Sequence, residues 1–149
     1  MPDAVVDSLM RASRALVTIT ERSLAAVHAD VTLAQFRTLV VLSTQGPQPV
    51  GALAEHLDVH ASTMTRMCNR LVSRTLILRA PSPVDRREVV VTLTPEGAAL
   101  VDSAMDRRRA ELQTIVYKLT PDERDALVHA LDVFTRAAGE PQEQRHETV

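Results

Sequence analysis

Between Ala61 and Thr75 the chain carries three guanidiniums, one amide and several hydroxyls, and no carboxylate. Met64, Met67, Cys68 and Leu71 recur at i, i+3, i+4 and i+7, the apolar stripe of a helix. Ser62, Thr63, Thr65, Arg66, Asn69 and Arg70 fall largely off that stripe and face outward. Such a face can donate to phosphate oxygens and to base edges in a major groove. The short residues gather at the helix start, where a backbone must approach most closely and free N–H groups favour an anion. Arg66 and Arg70 are the candidates for guanine, the commonest partner of arginine in specific contacts. Ser62, Thr63 and Thr65 suit phosphates or a thymine methyl. A solvated helix face, with Ser62 as a plain cap, fits the same residues, so the flanking stretches decide.

Those stretches favour DNA. Arg66, Arg70, Arg74, Arg79, Arg86 and Arg87 stand against only Asp85 and Glu88 between His60 and Val90. That segment carries +4, which leaves −6 for the rest of a chain whose total is −2. A basic patch on an acidic body is an electrostatic footprint of nucleic-acid binding. Arg86 and Arg87 lie in a polar loop between two apolar runs, where one can enter a minor groove and the other can brace the loop through Asp85. Aromatics make up only 2% of the chain, which argues against binding single strands or RNA through stacked rings.

Other chemistries find little support. No Gly-rich phosphate loop, nucleophile–His–acid grouping or metal set is present, so neither an enzyme nor a cofactor is expected. Cys68, the one cysteine, lies on the apolar stripe and reads as a small buried hydrophobe rather than a redox sensor. His56 and His60 have metal-pair spacing, but a turn separates them. The N-terminus has no signal-peptide pattern, and no apolar run approaches the ~18 residues of a membrane span. A cytoplasmic protein with no membrane association is the expectation.

The elements that position these residues follow from periodicity and punctuation. Residues 4–28 form a long amphipathic helix whose apolar face either covers a core or meets a partner subunit. Thr32 caps the next helix, with Gln35 placed for a capping box, and Gly46-Pro47 stops it. Residues 50–57 form a short helix, Asp58-Val59-His60 a tight turn, and the arginine-bearing helix follows. Two short helices so joined make a helix-turn-helix. Asp58 suits a left-handed turn residue, and Val59 plugs the angle between the helices. Residues 76–80 and 88–93 read as the strands of a hairpin wing. Thr94-Pro95-Glu96 opens a further helix, and Thr120-Pro121-Asp122-Glu123 is a capping box for the last. The expected fold is mainly α with a small β-hairpin wing: a winged helix-turn-helix flanked by long helices.

Taken together, Asp85-Arg86-Arg87 followed by Leu93-Thr94-Pro95-Glu96-Gly97 resembles the wing-to-helix signature of the MarR (multiple antibiotic resistance regulator) family. Ser62-Thr63-Met64-Thr65-Arg66 and Asn69-Arg70-Leu71 resemble its recognition helix, and Leu53-Ala54-Glu55 with Leu57 the helix before it. The resemblance covers about residues 30–138. It implies a homodimer on a palindromic operator in double-stranded DNA, usually a repressor released by a small aromatic or other lipophilic ligand. It also implies four segments: an N-terminal dimerisation helix (1–30), a winged helix-turn-helix (31–94), C-terminal dimerisation helices (95–138) and a polar tail (139–149). An effector would sit between the dimerisation helices and the winged domain, with Arg14, His28 and Phe36 as candidate lining residues. Two alternatives remain: a thiol-responsive regulator of the same fold, or a helical dimerisation adaptor without DNA binding.

Two positions depart from the family pattern. Asn69 stands where the family usually has Asp bracing a wing arginine. It can hydrogen-bond Arg87 as a neutral acceptor, without the charge of a carboxylate, or read adenine directly. Thr75 stands where the family usually has Gly. A β-branched residue there disfavours a left-handed cap, so a different helix exit is expected.

Overall fold

A computed structural model describes residues 1–139. The elements run α1 (Pro2–Val27), α2 (Leu33–Gln45), β1 (Gln48–Pro49), α3 (Val50–Leu57), α4 (Ala61–Ser73), β2 (Ile77–Pro81), β3 (Val89–Leu93), α5 (Pro95–Val116) and α6 (Pro121–Ala137). The expected tail beyond Gly139 lies outside the described residues. The chain forms two compact units, Met1–Ala110 and the segment from Glu111 on.

Local signals place the elements of the first unit. The Thr32 hydroxyl accepts from the Gln35 N–H at 3.2 Å, and the Gln35 side chain accepts from the Thr32 N–H at 3.1 Å. Two donors that a helix start leaves open are thereby satisfied. Gly46, at φ +77°, ends α2. Asp58 takes the left-handed conformation at φ 52°. The chain reverses there, and the Val59 N–H reaches the Ala54 carbonyl at 3.0 Å. Val59 then packs half-buried against the core.

That core is aliphatic, as the scarcity of aromatics requires. Phe36, Leu39 and Leu42 of α2 meet Leu53 of α3, Met64, Cys68 and Leu71 of α4, Ile77 and Val91 of the sheet, and Leu100, Val101 and Ala104 of α5. Each large side chain so buried is worth about 1.5–3 kcal/mol. The arginine-bearing helix is therefore clamped by Met64, Cys68 and Leu71, with Met67 partly buried beside them.

The sheet has three antiparallel strands in the order β1-β3-β2, one more than the hairpin expected. Gln48 pairs with Val91 and Pro49 with Val90. Proline lacks a ladder donor and is tolerated on an edge strand, where β1 lies. A two-residue strand with a proline reads from sequence as the end of α2, and only its partner reveals it.

The exit from α4 corrects the expectation for Thr75. Despite its branched side chain, Thr75 takes φ +60°. Its N–H bonds the Val72 carbonyl at 2.9 Å and the Leu76 N–H bonds the Leu71 carbonyl at 3.1 Å, the paired bonds of a Schellman stop. The Thr94 hydroxyl, 2.6 Å from the Thr75 carbonyl, holds the conformation from outside and also caps α5 through the Gly97 N–H at 3.0 Å. Gly97 cannot be larger: an added Cβ would lie 2.1 Å from the Leu76 carbonyl oxygen.

In α1 only Ile19, Ser23 and Leu24 are buried, and Val5, Val6 and Met10 stay exposed. In the second unit a capping box between Thr120 and Glu123 starts α6. Arg124 closes the preceding turn by donating to the Val116 and Tyr117 carbonyls at 3.0 and 3.2 Å, with its guanidinium 5.6 Å from the Tyr117 ring centre. α6 buries none of its side chains.

Candidate nucleic-acid interface

Helix geometry divides the outward residues of α4 into three rows. Met64, Cys68 and Leu71 point into the core. Opposite them, at i, i+4 and i+7, run Ser62, Arg66 and Asn69, all exposed. Thr63 and Arg70 lie on one flank. With Arg66 and Met67 they line a cleft whose other wall is Thr32 and Gln35 at the start of α2. Thr65 leans to the other flank, and its hydroxyl bonds back to the Ala61 carbonyl at 2.9 Å.

Ser62 does not cap the helix. The cap position is His60, which makes no side-chain cap bond, so no side chain claims the N–H groups of the first turn of α4. An anion is favoured there by those donors and by the helix dipole.

The six arginines of the basic segment divide by task. Arg66, Arg70, Arg86 and Arg87 are exposed. Arg74 donates to the Asp30 carbonyl. Arg79 of β2 donates to the Asn69 side-chain oxygen. The partner of Asn69 is thus Arg79 rather than Arg87, ten residues away in sequence and brought alongside by the turn from α4 into β2. Charge counting found the patch, but only the register of β2 reveals which of its members are occupied.

The wing loop is organised by a residue the sequence reading passed over. Ser82 is buried, its N–H meets the Glu88 carbonyl at 2.8 Å, and its hydroxyl accepts from the Val84 and Asp85 N–H groups at 3.2 and 3.3 Å. Asp85 accepts the backbone N–H of Arg87 at 3.0 Å. The loop is therefore shaped by main-chain donors, and both the Arg86 and the Arg87 side chain extend from it exposed. A serine followed two and three residues on by free N–H groups is a known turn device, and that signal could have found it.

Cys68 is fully buried. Burial raises its thiol pKa, and the nearby Arg79 guanidinium opposes the rise without overcoming it. The thiol stays protonated and covered, a poor starting point for oxidation.

The three residues suggested for an effector do not come together. Phe36 lines a cleft of about 350 Å³ with Val17, Val40 and Met105 on its apolar side and Arg37, His56 and Arg108 among its polar groups. The Nε of Arg108 is buried with no hydrogen-bond partner. His28 lines a different cleft, with Arg74, Glu96 and Ser103. Arg14 is exposed on α1. No helix among the described residues is long and apolar enough to cross a membrane.

Comparison with known proteins fits this geometry. The family model described as "MarR family" matches residues 31–89, from the start of α2 to the wing. The chain is similar to RV1404 of Mycobacterium tuberculosis, at 44% identity over 97% of this chain and 98% of that one, with a TM-score of 0.87. It is 36% identical over 103 residues to the multiple antibiotic resistance protein MarR of Salmonella typhimurium, which spans 68% of this chain and 72% of that protein. It also resembles BpsR of Bordetella bronchiseptica, a structure described as showing regulation of DNA binding by 6-hydroxynicotinic acid. There the identity is 31%, over 88% and 92% of the two chains, at a TM-score of 0.63.

Proposed function

The chain belongs to the MarR family of DNA-binding transcriptional regulators, and on that premise we propose that it acts as a homodimeric repressor of nearby genes, released by a small ligand. The observation that carries this reading is the outward face of α4: arginines, an amide and hydroxyls with no carboxylate, backed by the buried Met64, Cys68 and Leu71.

In the proposed complex Arg66, in the middle of the central row, reaches base edges. Arg70, turned toward the start of α2, and Ser62, Thr63 and Thr65 hold phosphates. Asn69 shares the central row, and Arg86 and Arg87 bring the wing to the adjacent minor groove, where narrow A·T tracts concentrate negative potential. Asp85 keeps the loop in shape. Two copies present these elements to a palindrome, their recognition helices about 34 Å apart so that both enter successive major grooves. The exposed apolar residues of α1 and α6 supply the contact between copies. In this scheme residues 1–30 and 95–138 make the dimer and 31–94 bind the operator.

The proposed effector site is the cleft beside Phe36. Its aliphatic wall suits a small lipophilic or aromatic body, and a buried Arg108 donor without an acceptor suits an acidic group. A ligand that binds better when the helices stand at another spacing would draw the population off the operator. The resemblance to BpsR supports an effector of this kind.

The direct test is binding to duplex DNA flanking the protein's own gene, with a scrambled duplex as control. Arg66→Ala should weaken flanking-DNA binding about tenfold or more while changing scrambled-DNA binding little, because a base contact is worth roughly 1–3 kcal/mol of discrimination. Equal losses on both would make Arg66 a phosphate contact only.

A further inference from the structure

Asn69 is exposed on the central row of α4, one turn beyond Arg66, and its amide is already engaged by Arg79. A guanidinium has donors only, so the amide atom facing it must be the carbonyl oxygen. That fixes which end of the amide remains available: the NH2 group. The Arg79 backbone is fixed by its pairing with Val91, a fully buried residue of β3, so its guanidinium starts from beside α4. An incoming base therefore meets the Asn69 NH2 with a cationic donor beside the amide oxygen.

This arrangement bears on which base can be read. Adenine shows an acceptor at N7 and a donor at N6, and an asparagine reads it by using both its NH2 and its oxygen. Here one lone pair of the oxygen is engaged by Arg79, and the positive charge beside it disfavours a further donor at the other. Guanine shows two acceptors, O6 and N7, and suits an edge that only donates. Building on the proposed function, we infer that Asn69 and Arg79 form one donor-only reading edge that selects guanine over adenine at one position of each half-site. Asn69 touches the base; Arg79 is a positioning residue that sets the direction of the amide. The direct adenine contact open to a free Asn69 is thereby disfavoured.

The test is selection of duplexes from a random pool by the purified full-length protein, carried out for the native chain, N69A, R79A and N69D, with thermal melts of each. The native chain should enrich a palindrome containing guanine, favoured about tenfold over adenine, at a position whose preference disappears in N69A while the rest of the motif persists. R79A frees the amide oxygen and should admit adenine at that position, bringing the ratio near one. N69D removes the donors and should lose guanine there. Both residues are exposed, so melts should stay near the native value; should R79A melt early, the N69A and N69D motifs still decide. Three results would overturn the inference. The first is adenine at that position in the native motif. The second is an N69A motif identical to the native one. The third is an N69A loss uniform across all sequences with a shallower salt dependence, the mark of a phosphate contact. A native chain that enriches no sequence would remove the regulator reading as well, and this inference with it.

Discussion

Two helices of comparable length, α4 and α6, show how differently one chain can use the same pattern. Both carry apolar residues at helical spacing. In α4 that stripe is finished within the chain: Met64, Cys68 and Leu71 are at 0% exposure. In α6 the stripe Leu127, Val128, Leu131 and Phe134 lies 42–49% exposed, and no residue of the helix is buried. Apolar area left in water forgoes about 25 cal/mol per Å², and contiguous patches of this kind mark interaction surfaces. The contrast teaches that hydrophobic periodicity announces burial without naming what does the burying. For α4 it is the same chain; for α6 the proposed occupant is a second copy.

The contrast can be broken or sharpened by substitution. The largest effect is expected inside α4's packing. Met64→Ala should lower the free energy of unfolding by about 2–5 kcal/mol, the range for large-to-small changes in a closed core, at every protein concentration. Leu131→Asp should do something else. It should leave the secondary structure in place, turn the species seen by sedimentation from dimer to monomer, and weaken binding to a two-half-site duplex by about 100-fold through lost bivalency. A Leu131→Asp protein that stays dimeric would erase the distinction between the two stripes.

Smaller effects probe α4's buried thiol and its exit. Burial raises the Cys68 pKa in the folded state, so the neutral thiol is the form the fold tolerates. Its contribution is fully present below the unfolded thiol pKa and lost as pH rises through the higher, folded one. Melting temperature should therefore fall more steeply above about pH 9 in the native chain than in Cys68→Ala, taking the unfolded thiol value as ~8.5. Labelling by a thiol reagent at neutral pH should be slow until the protein is unfolded. Thr75→Gly should give the smallest change, a gain of about 0.5 kcal/mol. It removes left-handed strain from a branched residue but adds chain entropy to the unfolded state. Denaturant midpoints would measure it, and a loss would mean that the Thr75 hydroxyl, 2.6 Å from the Arg74 carbonyl, matters more than the strain.

Much of the fold was legible because its punctuation is local. Thr32 with Gln35, Thr94 with Pro95, and Thr120 with Glu123 announce helix starts within four residues, and each forms the expected cap. Asp58 turns left-handed for reasons contained in one residue. What escaped was set by distant partners. β1 exists only because Val90 and Val91 come to pair with it. Asn69 finds Arg79, and Arg74 finds the Asp30 carbonyl, because the register of β2 and the end of α1 put them there. Thr75 takes a conformation its own chemistry disfavours, held in part by Thr94 nineteen residues on. For the candidate interface, residue types and net charge could be read from the sequence, whereas the assignment of each guanidinium needed the tertiary fold.

The measurement that bears most directly on the account is affinity for the native gene-flanking duplex as a function of salt, with the number of chains bound read in the same titration. The account predicts two chains per duplex and a log–log slope steeper than about −4, since two exposed arginines from each recognition helix and two from each wing can displace counterions. One chain per duplex, or an affinity indifferent to salt, would contradict it.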